Sequence, residues 1–258
     1  MGLRTCRTNH PLWSELQPYR YAHRGYHNTE YPENTLPAFT RAVENGFGAE
    51  LDVHLTKDGK LVVFHDDDLK RVCGADLRTS DLNAADFTNY PINGTGYTAP
   101  LLEDVLKIFE NQTPLIVEIK VDHANYAAVT EAACKVLDQF HVTYCIESFD
   151  PRVLFWLKQN RPEICRGQLS QNFVKRPDGG NLSKLLRQVL TNLYANFLTK
   201  PDFIAYRFED RNCRAMDVCR NRYGVQEVSW TIRRHEDLIA AECAGCIPIF
   251  EYFHPDIP

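Results

Sequence analysis

Short, wholly apolar runs along this chain alternate with longer stretches in which apolar positions recur every three or four residues. The first pattern reads as buried strands, the second as helices with one apolar stripe. Strands are expected at residues 19–23, 49–55, 61–65, 115–120, 144–149, 166–169, 203–206, 227–232 and 247–252. Helices are expected at 35–45, 100–110, 126–140, 152–159, 182–194, 213–223 and 235–243. Gly46 stops the first helix, and Leu101, Leu102, Val105, Ile108 and Phe109 form the stripe of the second. Asp58-Gly59 centres a tight turn between the second and third strands.

Alternating strands and helices predict a parallel sheet with right-handed crossovers. At this length, with eight or nine repeats, a closed (β/α)8 TIM barrel fits better than an open sheet. The pattern yields one strand too many for such a barrel, so one is an adornment or an over-reading. No linker or change of composition divides the chain. The expectation is a single domain over residues 19–258, preceded by an extension, 1–18. Residues 66–98, rich in Asp, Asn, Thr and Gly, form the longest irregular insert, a lid beside a site or a surface loop.

Composition narrows the classes. The chain is 44% hydrophobic, enough for a full core, and its net charge of −5 gives no basic field for nucleic acid. Phosphate recognition, if any, must be local. No apolar run approaches the ~18 residues of a membrane helix, so stable membrane insertion is not expected. Residues 1–13 carry Arg4, Arg7 and His10 without an apolar core, unlike a signal peptide. Cys6 stands where a myristoylation site would need Ser or Thr. Nine scattered cysteines, an odd number, suggest free thiols in a reducing compartment, the cytoplasm. Cys243 and Cys246 form a lone CxxC with no second metal-ligating pair nearby, and the sequons at Asn93, Asn111 and Asn181 mean little without secretion.

The chemistry lies at strand ends. Ala22-His23-Arg24-Gly25, Glu50-Leu51-Asp52-Val53, Val63-Phe64-His65-Asp66 and Val117-Glu118-Ile119-Lys120 are apolar runs that finish in charged residues. Taken singly, each carboxylate reads as a solvated charge or ion pair and each histidine as structural. Four strands ending alike suggest one shared site, because buried strands do not carry ionisable groups without partners or a task. Strand alternation puts Glu50 and Asp52 on one face about 7 Å apart, and Glu118 and Lys120 likewise. In a barrel both pairs come to the C-terminal rim. Three close carboxylates call for a divalent cation, and oxygen-only donors favour Mg²⁺ or Ca²⁺. His23 and His65 suit an acid–base pair, while Arg24 and Lys120 offer charge to a phosphodiester or neutralise the carboxylates. His54 shares the face of Glu50 and Asp52 and reads as core or as support for the site.

At these residues the chain resembles the glycerophosphodiester phosphodiesterase family. The likeness rests on His23-Arg24-Gly25, Pro32-Glu33-Asn34-Thr35, Glu50-Leu51-Asp52-Val53, Thr56-Lys57-Asp58-Gly59, Val63-Phe64-His65-Asp66, the run Pro100-Leu101-Leu102-Glu103-Asp104-Val105-Leu106 and Val117-Glu118-Ile119-Lys120. It continues more weakly through Ser148-Phe149-Asp150 and Ser229-Trp230-Thr231. The resemblance implies a TIM barrel of the phosphatidylinositol-phospholipase-C-like type that hydrolyses glycerophosphodiesters to glycerol 3-phosphate and an alcohol. By position, Glu50, Asp52 and Glu118 become metal ligands, and His23 and His65 the general base and acid. Arg24 and Lys120 become phosphate contacts, Trp230 a pocket wall, and Glu33 a further ligand or a loop-holding group. The expected resting state has His65 protonated beside Asp66 and His23 neutral beside Arg24. The last strand departs from the family's Gly-x-x-Thr-Asp-x-Pro-like run, with Ile247-Pro248-Ile249-Phe250-Glu251-Tyr252-Phe253 in its place. That departure is expected to touch leaving-group specificity and leave the catalytic set intact. Two other readings fit the sequence. One is a phospholipase acting on intact lysolipids, with Tyr26, Tyr31, Tyr90 and Tyr97 facing a lipid surface; the other is a catalytically dead phosphate-binding module.

If the nine cysteines are free, a strong reductant leaves the melting temperature unchanged, since no cross-link restricts the unfolded chain. A fall of more than ~5 °C on reduction, the scale of one or two kcal/mol in a domain of this size, reveals a structural disulfide and overturns the reducing-compartment reading.

Overall fold

The computed structural model describes residues 2–175 and 182–257, so the sequon at Asn181 lies outside the described residues. Among the described residues there are nine strands: β1 (Tyr21–Ala22), β2 (Gly48–Leu55), β3 (Leu61–Val63), β4 (Leu115–Ile119), β5 (Tyr144–Ser148), β6 (Arg166–Ser170), β7 (Phe203–Arg207), β8 (Gln226–Ile232) and β9 (Ile247–Phe250). The α-helices are α1 (Trp13–Leu16), α2 (Leu36–Glu44), α3 (Lys70–Cys73), α4 (Leu102–Phe109), α5 (Tyr126–Leu137), α6 (Pro151–Asn160), α7 (Lys184–Thr191), α8 (Asn196–Thr199), α9 (Arg214–Tyr223) and α10 (His235–Cys243).

Eight strands pair in parallel in the order β1-β9-β8-β7-β6-β5-β4-β2, and β1 pairs with β2 to close a (β/α)8 barrel. The surplus strand is β3. It lies antiparallel on β2, with Val53 opposite Val63, as the second arm of the Asp58-Gly59 hairpin. Most expected elements differ from the observed ones only at their ends. Residues 64–65 leave the strand after β3, and the helix expected at 182–194 starts at Lys184, because the Ser183 hydroxyl caps it by accepting from Leu186 N at 3.2 Å.

Strand alternation builds two cores. Outward residues such as Ala49, Leu51, Val53, Val117, Ile119 and Ile146 pack under the helices. Inward residues Tyr21, Ile116, Cys145, Val228 and Ile249 fill the barrel floor with Leu169, Phe203, Ala205 and Ile247. From five of these the next inward position, two residues on, carries the site: His23, Glu118, Glu147, Trp230 and Glu251. On these five strands the chain thus changes from apolar to chemical in one step. The N-terminal extension closes the floor. Leu16 is buried, the Trp13 ring stacks on Phe203 at 5.5 Å, and the Tyr21 hydroxyl donates to Leu16 O at 2.8 Å.

The insert is folded in its own right. Leu69, Val72, Leu82, Phe87 and Ile92 join Val62 and Phe64 in a separate apolar cluster, fastened by the antiparallel bridge between Asp68 and Arg78. Of the four tyrosines considered for a lipid surface, Tyr26 packs against Phe47 and Phe250, and its ring and that of Tyr31 lie under the Arg41 guanidinium. The Tyr31 ring also adjoins that of Tyr97, with centroids 6.3 Å apart. No helix among the described residues is long and apolar enough to cross a membrane.

Candidate active site

The C-terminal rim gathers His23, Arg24, Glu50, His65, Glu118, Glu147, Phe149, Leu169, Trp230 and Ile249 around one narrow cavity. Asp52 lies beside it. The register explains the grouping: Asp52 is level with Glu118 on β4, and Glu118 is level with Glu147 on β5. Glu50, Asp52 and Glu118 are all buried, and one carboxylate oxygen from each lies within 4.8 Å of the others.

So much buried negative charge needs compensation. Lys120 Nζ reaches Asp52 Oδ1 at 2.9 Å and Glu118 Oε1 at 2.8 Å. Asn34 Nδ2 donates to Asp52 Oδ2 at 2.9 Å, and the Arg24 backbone N–H donates to Glu50 Oε2 at 3.1 Å. That last bond requires a sharp turn after β1, where Arg24 and Gly25 both have positive φ. At Gly25 a Cβ would also stand 2.9 Å from the backbone of Ala38 on α2, so only glycine fits.

These compensations are uneven. Burial, with Asp52 and Glu118 adding repulsion, drives the Glu50 carboxyl well above its ordinary range. Burial likewise raises Glu118, to about 7 against the pull of Lys120. Burial would raise Asp52 too, but Lys120, His65 and Arg24 hold it well below. Lys120 is kept charged by Asp52 and Glu118 despite its burial. Two carboxyls straining toward protonation beside one fixed anion form a set short of positive charge. All-oxygen donors at this spacing fit a hard divalent cation.

Each histidine is steered by its own carboxylate. His23 Nδ1 meets Glu251 Oε2 at 2.5 Å, and His65 Nδ1 meets Asp66 Oδ1 at 2.5 Å. Burial would raise both acids, but His23 and His27 keep Glu251 ionised, and His65 and Arg71 do the same for Asp66. An ionised carboxylate only accepts, so each Nδ1 carries the proton and Nε2 is the ring's working nitrogen. His23 Nε2 lies 4.0 Å from Glu50 Oε2, on the cavity side. Burial and Arg24 push His23 down to about 4, so it rests neutral. The expectation of a resting protonated His65 needs correction. Burial and the nearby Lys120 outweigh Asp52 and Asp66 and lower its pKa.

Glu33 is committed elsewhere than to the three-carboxylate group. It accepts from Arg24 Nη1 at 2.7 Å and from Arg71 Nη2 at 2.6 Å, and these cations hold it down to about 2 against burial. Arg24 Nε lies 3.6 Å from Asp52 Oδ2. Trp230 lines the cavity beside Phe149, with ring centroids 5.6 Å apart, and its Nε1 donates to Ala205 O. His54, buried, approaches His65 O at 3.2 Å through Nε2 and so supports the turn that carries His65. Cys246 is turned toward Arg211, Cys243 is exposed, and among the described residues no candidate metal cluster includes a cysteine.

Two inward-facing carboxylates at the rim escaped the sequence reading. Glu251 follows the atypical last strand, and its carboxylate meets His23 Nδ1. Glu147 is 1% exposed, and its Oε2 has no hydrogen-bond partner. Both obey the strand-end rule that found the others: Ile247, Ile249, Glu251 and Cys145, Glu147 are alternate inward positions.

Comparison with known proteins agrees with this geometry. The sequence model of the "Glycerophosphoryl diester phosphodiesterase family" matches residues 23–250. A glycerophosphodiester phosphodiesterase of Bacillus altitudinis is 31% identical over 169 residues, 61% of this chain and 69% of that protein. One from Caldanaerobacter subterraneus is 29% identical over 227 residues, 84% and 86% of the two chains. A phosphodiesterase of Oleispira antarctica, solved with the product sn-glycerol-3-phosphate, superposes with a TM-score of 0.76 at 22% identity, over 95% of each chain.

In the metal-free protein, ring NMR of His23 is expected to show titration near pH 4, far below the free imidazole value. Glu251→Gln lowers it further, because the lost carboxylate favours the imidazolium form. A His23 titrating at 6.5 or above contradicts the burial and pairing described here.

Proposed function

Because the chain belongs to the glycerophosphoryl diester phosphodiesterase family, and is thereby a phosphoric diester hydrolase, we propose that it hydrolyses glycerophosphodiesters to glycerol 3-phosphate and an alcohol with a His/His acid–base pair. The observation that carries this reading is the convergence of three buried carboxylates and two carboxylate-steered histidines on one cavity rim.

Glu50, Asp52 and Glu118 would hold Mg²⁺ or Ca²⁺, which when bound supplies positive charge for the negative charge that develops on the phosphoryl oxygens. Arg24 and Lys120 add fixed cations at the same rim; the Arg24 fork is aimed by Glu33, and Lys120 is charged throughout the neutral range. His23 Nε2, left with its lone pair because Nδ1–H is committed to Glu251, accepts the proton of the nucleophile. That nucleophile is the neighbouring glycerol hydroxyl or water. His65 protonates the departing alkoxide. It enters the reaction as imidazolium once the substrate's anionic phosphate lies beside it, since an adjacent anion favours the charged ring. Phe149, Leu169 and Trp230 form the apolar wall of the cavity, which excludes water and strengthens these charge interactions. The nine unpaired thiols support a reducing, cytoplasmic setting.

A turnover panel over choline, ethanolamine, inositol and glycerol diesters with Mg²⁺ or Ca²⁺ tests the reading directly, and binding without turnover of any of them would leave only a phosphate-binding module. Chelation is expected to abolish turnover. Glu50→Gln, Asp52→Asn and Glu118→Gln should each cost orders of magnitude, as each removes a charge from a site built around a cation. Full activity in excess chelator excludes the metal role.

The histidines separate by leaving group. A p-nitrophenyl ester departs as a stable anion and hardly needs a proton, whereas choline does. His65→Ala is expected to lose much of the ~10²–10⁴-fold of acid–base catalysis on the choline ester and far less on the nitrophenyl ester. His23→Ala loses heavily on both. Equal losses for His65→Ala on the two substrates deny it the acid role, and the opposite pattern exchanges the two.

A further inference from the structure

We propose that Arg71, carried by the insert, is a positioning residue that locks His65 and Arg24 into one unit. Its guanidinium is shared between two carboxylates, each of which holds one of those groups. Arg71 Nε donates to Asp66 Oδ2 at 2.6 Å, and the other oxygen of Asp66 meets His65 Nδ1 at 2.5 Å. Nη1 and Nη2 of Arg71 donate to Glu33 at 2.9 and 2.6 Å, and Glu33 Oε1 accepts from Arg24 Nη1 at 2.7 Å. The chain His65–Asp66–Arg71–Glu33–Arg24 therefore spans the rim from the turn after β3 to the turn after β1 without a break.

The placement of Arg71 does not depend on the site it serves. It sits on α3 between the buried Leu69 and Val72, which anchor that short helix in the insert's own apolar cluster. The insert therefore acts as a fixed jaw of the site. The arginine is also chemically specific: a planar fork presents Nε to one carboxylate and both Nη atoms to another, a division that a lysine ammonium does not reproduce. Arg71 is half exposed, yet its partners Asp66 and Glu33 are largely shielded, so the bridge is stronger than an ordinary surface pair.

The role rests on the phosphodiesterase reading, and it has its own signature. Arg71→Ala should raise KM on both the choline and the nitrophenyl ester through the loosened Arg24. It should lower kcat on the choline ester alone through the loosened His65. The loss in kcat/KM on the choline ester is expected to be on the order of ten- to a hundredfold, the range for removing outer partners of functional groups at metal sites. Arg71→Lys restores little. Glu33→Gln and Asp66→Asn, measured singly and together, should be coupled in both kcat/KM and urea unfolding with Arg71 present, and additive in the Arg71→Ala background. An equal kcat loss on both esters with KM unchanged, the mark of a smaller folded fraction, overturns the proposal. So does additivity of the two changes in the presence of Arg71. A wild type that turns over neither ester overturns the phosphodiesterase reading and the positioning role with it. The two failures are distinguished because the coupling in urea unfolding still reports whether the bridge exists.

Discussion

Mutual repulsion among buried carboxylates is the constraint on which the rest of this molecule depends. Glu50, Asp52 and Glu118 converge where the barrel offers little water, and Glu147 stands level with Glu118 on the next strand. Like charges at such range are costly in a low dielectric. The neighbourhood is arranged to relieve them: Lys120 between two acids, Asn34 and the Arg24 amide as donors, and a backbone turned through positive φ to bring that amide within reach. What remains unrelieved is negative charge, in a donor set that fits a cation. The same deficit that would destabilise an empty site would favour a bound cation.

The two histidines answer a second demand, that a ring nitrogen be aimed. Each is held at Nδ1 by a carboxylate, and each carboxylate is held by an arginine: Glu251 by Arg233 at 2.6 Å, Asp66 by Arg71 at 2.6 Å. Two unrelated stretches of chain, the last strand and the insert, thus arrive at one local solution. The difference lies in the surroundings. Burial lowers both; at His23 Arg24 adds to it, and at His65 Lys120 adds to it against the pull of Asp52 and Asp66.

Much of this was legible beforehand because barrel strands obey a simple rule: inward positions fall two apart, and the chemistry begins where the apolar run ends. His23, Glu118 and Trp230 follow this rule, Glu50 and Asp52 are alternate positions within β2, and His65 stands just past the surplus strand β3. Glu147 and Glu251 follow the rule as well, but each lies in a run that continues apolar or aromatic, Phe149 after the first and Tyr252 after the second, which hides the change of character. Arg71 and Arg233 carry no local signal. Their partners are set by how the insert and the β8–α10 turn pack, which periodicity does not encode. The surplus strand is instructive too: an Asp-Gly turn marks a hairpin, and a hairpin arm on a parallel barrel has to lie outside the ring.

The N-terminal extension has a consequence for traffic. With Leu16 buried against the floor and Trp13 stacked on Phe203, the side-chain-filled barrel is closed at the end away from the site. Whatever enters from the rim leaves by the rim. In the proposed reaction the diester and both of its fragments would share that single doorway.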